Sequence, residues 1–199
     1  MKTTNIKKYL DSFAQQVVND AKRDMASSKD SMGQARGDTA VGNSIRSEVV
    51  LTDTGFSVRF YMLDYATFLD KGVSGNKNKQ SFENYKEQTV SSPYSYTTKQ
   101  PPTGIIEKWI KRKGLKGRKS LIKNRKGEDK NKKIKGAGQF ITDKSFAFAI
   151  AKSIKRKGIK SLSFFQKPFG VGYKDLQENL LKEVKLDIET YLTTFYRPE

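Results

Sequence analysis

Cysteine and histidine are both missing from this 199-residue chain. Without cysteine there is no disulfide framework and no thiolate to act as nucleophile or metal ligand. The same absence fits assembly in a reducing cytoplasm. Without histidine the commonest general base and the commonest metal ligand are gone, and zinc sites built from nitrogen or sulfur ligands are excluded. No apolar stretch approaches the roughly 18 residues that a membrane span requires, so no membrane partner is expected. The N-terminus, Met1-Lys2-Thr3-Thr4-Asn5-Ile6-Lys7-Lys8, is basic but leads into no continuous apolar run, and no signal peptide is expected. A Gly-x-x-x-x-Gly-Lys-Ser/Thr loop is absent, and Gly136-Ala137-Gly138 lacks the third glycine and preceding strand of a dinucleotide site. No cofactor is expected. Catalysis would fall to carboxylates, Lys, Ser or Tyr; a Mg²⁺-dependent nuclease would want acidic residues at strand ends, whereas Glu183 and Lys185 fall on a predicted helix. The chain is therefore not expected to be an enzyme.

What is present in excess is positive charge. The formal net charge is +18, a field that favours polyanions or acidic protein surfaces as partners. From Lys108 to Lys135 there are 14 Lys and Arg against only Glu128 and Asp129, a net of +12 within 28 residues. A like-charge block of this kind tends to stay extended. It reads as a solvated loop, as an arm gripping an acidic neighbour, or as an arm near DNA phosphates. Its candidate contact residues are Lys116, Arg118, Lys119, Lys123, Arg125, Lys126, Lys130, Lys132, Lys133 and Lys135. No helix-turn-helix or zinc pattern suggests sequence-specific reading.

Hydrophobic periodicity supplies the elements. Ile6, Leu10, Phe13, Val17 and Ala21 recur at helical spacing over residues 5 to 26. Residues 27 to 42 read as a loop; the Arg36-Gly37-Asp38 within it is taken as turn chemistry and not as an adhesion motif. Ile45, Ser47, Val49 and Leu51, then Phe56, Val58, Phe60 and Met62, alternate around Asp53-Thr54-Gly55, the pattern of a hairpin. A short helix over 64 to 71 is expected to be capped by Asp64 and ended by Gly72. Residues 73 to 102 read as a long polar loop, with room for an irregular strand. A helix over 104 to 113 carries Ile106, Trp109 and Ile110 inward. Residues 115 to 141 read as a second extended loop. A helix over 143 to 157 opens at Thr142 or Asp143, carries Phe146, Ile150 and Ile154, and has Ala147 and Ala151 for close packing. A last helix, about 174 to 196, carries Leu176, Leu180, Val184, Ile188, Leu192 and Phe195.

Two segments stand out. Ile106-Glu107-Lys108-Trp109-Ile110-Lys111-Arg112-Lys113-Gly114-Leu115-Lys116 matches Ile150-Ala151-Lys152-Ser153-Ile154-Lys155-Arg156-Lys157-Gly158-Ile159-Lys160. Both read as helix C-termini: basic side chains suit the negative end of the helix dipole, and glycine takes a left-handed cap with an apolar residue packing back. A shared ligand contact is the other reading. The second segment, Phe164-Phe165-Gln166-Lys167-Pro168-Phe169, has three Phe in six residues. It reads as a core plug beneath the last helix or as a subunit-contact patch.

The order of these elements resembles the tail-completion, or head–tail joining, family of long-tailed bacteriophages. The residues that carry the resemblance are Gly42-Asn43-Ser44-Ile45 at the hairpin, Tyr65-Ala66-Thr67-Phe68-Leu69-Asp70-Lys71-Gly72, Ile110-Lys111-Arg112-Lys113-Gly114, the run from Ala147 to Ile159, and Pro168-Phe169. Members often show a Tyr-Ala-x-(aromatic)-(aliphatic)-Glu-x-Gly motif, an Ala-rich helix ending in Gly-Ile, and a Pro-Phe segment. Here Asp70 stands where Glu is usual, and Ser161-Leu162-Ser163 replaces the usual Pro-rich approach to the aromatic segment. The likeness covers most of 1 to 72 and 104 to 196.

The resemblance implies an α+β subunit without catalytic residues that assembles as a ring in the neck. Fold and function expectations follow. An antiparallel sheet built on a hairpin is flanked by N-terminal, central and long C-terminal helices, in one domain over 1–199 with long insertions at about 73–102 and 115–141. The protein is expected to be a structural virion protein, an adaptor or tail terminator assembled in the host cytoplasm and placed at the head–tail junction. Its partners would be its own copies in a homo-oligomer ring, other neck, portal-adaptor and tail-tube proteins, and packaged DNA. Candidate interface residues are Tyr65, Phe68, Gly72, Lys111, Arg112, Lys113, Phe164, Phe165 and Phe169. The alternative is a non-specific nucleic-acid-binding protein that uses the basic 108–135 arm.

Overall fold

The apolar row near the N-terminus becomes one face of a 24-residue helix, α1 (Thr4–Ser27), on which Leu10, Phe13, Ala14, Val17, Val18, Ala21 and Met25 are buried. Its outer face is charged, and Lys7 pairs with Asp11 one turn on at 2.7 Å. The computed structural model describes residues 4–29, 35–117 and 139–195. After α1 come α2 (Ala40–Ser44), β1 (Arg46–Thr52), β2 (Gly55–Tyr61), α3 (Ala66–Lys71), β3 (Val73–Ser74), β4 (Ser81–Glu83), β5 (Thr89–Ser91), α4 (Thr103–Lys113), α5 (Asp143–Lys157), β6 (Gly158–Ile159) and α6 (Gln166–Phe195). The fold is mixed α and β, with long terminal helices and small two-stranded sheets.

β1 and β2 form the expected antiparallel hairpin. Thr52 pairs with Gly55 around a two-residue turn, and Val49 sits opposite Val58 and Ser47 opposite Phe60. Val49, Val58 and Phe60 face α1, as the period-2 pattern requires. The burial fades toward the turn, where Leu51 is exposed.

Four boundaries differ from the sequence reading. The loop before the hairpin ends in the short α2, which Thr39 caps by accepting from the Gly42 N–H at 3.0 Å. α3 starts at Ala66, and no side chain caps it; Asp64 contributes only its carbonyl, to the Thr67 hydroxyl. The polar stretch after α3 contains a second hairpin, β4–β5, with Phe82 opposite Val90. Its turn is held by Asn84, whose Oδ1 accepts from the N–H groups of Lys86 and Gln88, a local turn device of asparagine.

The fourth difference is the largest. α6 begins at Gln166, eight residues before the expected start, and runs through Pro168, Gly170 and Gly172. Pro168 falls in the first turn, where a missing N–H costs nothing. The glycines are there for closeness. A Cβ on Gly170 would lie 2.5 Å from the Tyr85 carbonyl oxygen, and one on Gly172 would lie 2.9 Å from the Phe13 ring. What reads locally as helix-breaking glycine is a packing groove.

The sequence reading assigned 1–199 to one domain; the contacts divide the chain into two compact units. The first comprises Met1–Val73, Gln80–Tyr94 and Lys160–Glu199. Here α1 packs on α6 and on the β1–β2 hairpin. Phe164 is buried with Val18, Ala21, Met25, Val41, Ile45 and Ala66. Beside them Phe13, Phe60, Phe165, Phe169 and Tyr173 form a ladder of rings, with Phe60 and Phe165 centroids 5.3 Å apart and Phe165 and Phe169 5.8 Å apart. Each such pair contributes about 0.5–1.5 kcal/mol beyond its buried area.

The second unit comprises Ser74–Lys79 and Ser95–Ile159. α4 packs on α5, and Ile110 of the first and Ala147 and Ala151 of the second are fully buried. Ile141 donates its N–H to the Gly117 carbonyl at 2.9 Å, so the start of α5 lies beside the end of α4.

Candidate functional site

The run Tyr65 to Gly72 resolves into parts with separate duties. Tyr65 and Phe68 are exposed, and Phe68 meets the Tyr94 ring edge-on with centroids 4.6 Å apart. Gly72 ends α3 with φ of +71°, and its carbonyl accepts from the Ser92 hydroxyl at 2.7 Å. Asp70 is buried, 3% exposed. Its Oδ1 accepts from the N–H groups of Phe165 at 2.9 Å and Gln166 at 3.4 Å. These are free donors at the start of α6, so Asp70 caps a helix 96 residues away in the chain. Next to it the Ser163 N–H donates to the Asp70 carbonyl and the Leu162 N–H to Leu69. Burial pushes the Asp70 carboxyl above its ordinary value, and the Phe165 and Gln166 N–H groups oppose that rise. The acid in this motif therefore clamps the aromatic segment to α3.

A second buried carboxylate does the same work at the other end of α6. Asp187 accepts from the Asn5 N–H at Oδ1 and from the Ile6 N–H at Oδ2, each at 3.0 Å. α3 thus caps α6, and α6 caps α1. Neither role is visible in local sequence, because both partners are remote.

The three phenylalanines divide the two readings offered for them. Phe164 is 1% exposed, and Phe165 and Phe169 pack on Phe13 and Phe60. All three serve the core of the first unit, and the contact-patch reading has no exposed surface at Phe164.

Lys111, Arg112 and Lys113 end α4 on the surface. Gly114 adopts the left-handed conformation, and Leu115 donates back to the Ile110 carbonyl at 3.1 Å, the expected glycine cap. Lys111 pairs with Glu107 at 3.0 Å, and the hydrogen bond to that carboxylate raises the lysine. The matching end of α5 differs: Gly158 has φ of +80° but ψ of −170°, which sends the chain into β6 instead of closing a left-handed cap. Of the basic arm, Lys116 is described, with its ammonium 5.7 Å from the Phe140 ring centre. Arg118, Lys119, Lys123, Arg125, Lys126, Lys130, Lys132, Lys133 and Lys135 lie outside the described residues.

The sequence reading placed Ile188 and Leu192 in the inward row of the last helix. Leu176, Leu180 and Val184 of that row are half-buried. Leu181, Ile188 and Leu192 stand on an exposed side of α6, with Leu181 74% exposed. They are spaced seven and four residues apart, which aligns them on one stripe.

Among the described residues no group of three or more Asp and Glu could hold a metal ion, and no helix is long and apolar enough to cross a membrane. No family model matches the sequence, and no curated protein or solved structure matches it either.

Proposed function

We propose that the protein is an assembly subunit of a tailed-bacteriophage neck, packing side to side with its own copies in the ring that joins head to tail. The observation that carries this reading is the exposed apolar stripe Leu181, Ile188 and Leu192 on α6. A helix that has already buried one face on α1 and still presents Leu and Ile to water has a second face to cover. A second copy of the chain is the occupant we assign. Side-to-side contacts of this kind close into rings when the rotation per subunit closes.

Charge supports that choice of occupant. The unit that holds α6 has 17 Lys and Arg against 17 Asp and Glu. Copies that meet through this neutral unit bring no excess of like charge into the contact itself. The order of elements adds the resemblance to head–tail joining proteins. In this reading Tyr65 and Phe68 are further contact residues, while Asp70 and Gly72 hold the shape that presents them.

Mass photometry on the purified protein, with negative-stain images of the large species, tests the proposal. Rings with a central channel are expected, lost in a Leu181→Asp/Ile188→Asp double variant that keeps its helical circular dichroism. An unchanged ring population in that variant would remove α6 from the contact. A wild type that stays monomeric both alone and on portal or tail-tube templates would remove the neck reading.

A further inference from the structure

We propose that the unit built on α4 and α5 is a docking surface for double-stranded DNA, holding the phosphate backbone without reading bases. The first ground is where the charge lies. Among the described residues this unit carries 13 Lys and Arg against Glu107 and Asp143, a net of +11, while the other unit carries 15 against 15. Charge that served only solubility would have no reason to stop at the border of a folding unit. Here one unit is neutral and the other holds all of the excess.

The second ground is placement. On α5, Lys144, Lys152 and Arg156 are exposed and separated by eight and four residues, which keeps them on one side of the helix. On α4, Lys108 and Arg112 are exposed at four-residue spacing. The start of α5 lies by the end of α4, so the basic ends Lys111-Arg112-Lys113 and Lys155-Arg156-Lys157 occupy opposite ends of the pair. They are separated by roughly the length of a 15-residue helix, about 22 Å. Over that length a duplex presents about 13 phosphate charges, at one per ~1.7 Å of axis. A positive edge of matching length is what backbone contact requires. Sequence reading would need a helix or ribbon shaped for the major groove with side chains aimed at base edges; the helix pair instead presents exposed Lys108, Arg112, Lys144, Lys152 and Arg156 along its surface, together with exposed Ile105 and Phe148.

The third ground is how little acid competes. Among the described residues of this unit the carboxylates are Glu107 and Asp143, and Glu107 is engaged by Lys111. The remaining cations have few internal anions to neutralise them. The inference stands apart from the ring reading, since a single subunit would carry it equally.

Fluorescence anisotropy of the full chain on a labelled 30-base-pair duplex of mixed sequence, from 50 to 200 mM NaCl, is the test. Wild-type affinity should fall linearly on log axes, with a slope of about −0.9 for each phosphate neutralised. A Lys108→Gln/Arg112→Gln/Lys152→Gln/Arg156→Gln variant should bind at least tenfold more weakly, with a shallower slope. A control that removes as much charge from the other unit, Lys8→Gln/Arg59→Gln/Lys160→Gln/Lys182→Gln, should change affinity less than twofold. Circular dichroism establishes that both variants fold. Equal losses in the two variants, an unchanged affinity in the first, or tighter binding to poly-glutamate than to the duplex would each overturn the proposal, the last in favour of an acidic protein partner.

Discussion

Asp187 holds the first turn of α1 from the far end of the chain: its two carboxylate oxygens accept from the N–H groups of Asn5 and Ile6, each at 3.0 Å. The sequence separation is 182 residues for the first bond. A helix start offers orphan N–H donors, and a nearby anion also meets the positive end of the helix dipole. Asp187 is 2% exposed, so water cannot replace it well. Asp187→Ala should lower unfolding free energy by about 1–3 kcal/mol, the range for a lost cap combined with donors left unpaired near the core. Asp187→Asn keeps one acceptor and should cost less. Urea titration followed by circular dichroism measures both; equal stability of the alanine variant and wild type would show that the cap contributes nothing.

Asp70 gives a pH signature. Its folded-state carboxyl is raised above the ordinary value, first by burial, with the N–H groups of Phe165 and Gln166 opposing. The folded chain therefore keeps this proton to higher pH than the unfolded chain does. Stability from the neutral acid is fully present below the unfolded value, near 4, and is lost as pH rises through the folded value. Asp70→Asn removes that dependence while retaining an acceptor oxygen. The stability of wild type minus that of Asp70→Asn should thus fall between pH 3.5 and pH 7. Urea titrations across that range check it, and a difference that grows with pH would contradict the assigned sign.

Much of the frame was readable in advance, and the misses share a cause. The α1 row, the β1–β2 hairpin and the bounds of α5 follow from periodicity and local caps, which are properties of adjacent residues. The start of α6 does not, because Pro168, Gly170 and Gly172 look like breakers until Phe13 and Tyr85 are known to press against them. Asp70 and Asp187 are invisible for the same reason, since each caps a helix that is distant in sequence. Ile188 and Leu192 have the hydropathy of core residues but stand on the exposed side of α6; pattern alone cannot separate a face buried within the chain from one left for another chain. The charge block was legible, but its confinement to one folding unit was not.

Glycine substitutions separate the two uses of that residue. Alanine favours a helix over glycine by about 1 kcal/mol. At Gly104, in the first turn of α4, a Cβ meets nothing within 4 Å, so Gly104→Ala should raise stability by up to ~1 kcal/mol. At Gly170 the same Cβ would press on the Tyr85 carbonyl, which is backbone and cannot swing aside. Gly170→Ala should be destabilising by at least 1–3 kcal/mol, the usual range for overpacking. Thermal melts of the two variants should move in opposite directions, and a rise for Gly170→Ala would show that α6 does not lie against the β4–β5 turn.

Salt should act on self-association in the direction opposite to its action on DNA binding. In the proposed ring, apolar contact through Leu181, Ile188 and Leu192 would not be weakened by screening, whereas the basic units of neighbouring copies would repel one another. Raising salt from about 0.05 to 0.5 M shortens the Debye length from roughly 14 to 4 Å and removes most of that repulsion. In the absence of DNA, the oligomer fraction seen by sedimentation velocity should therefore rise with salt. A short duplex at low salt should have the same effect, because it neutralises the basic units while leaving α6 untouched. Oligomers that dissociate as salt rises would mean that ion pairs hold the copies together, and the apolar stripe on α6 would lose its assignment.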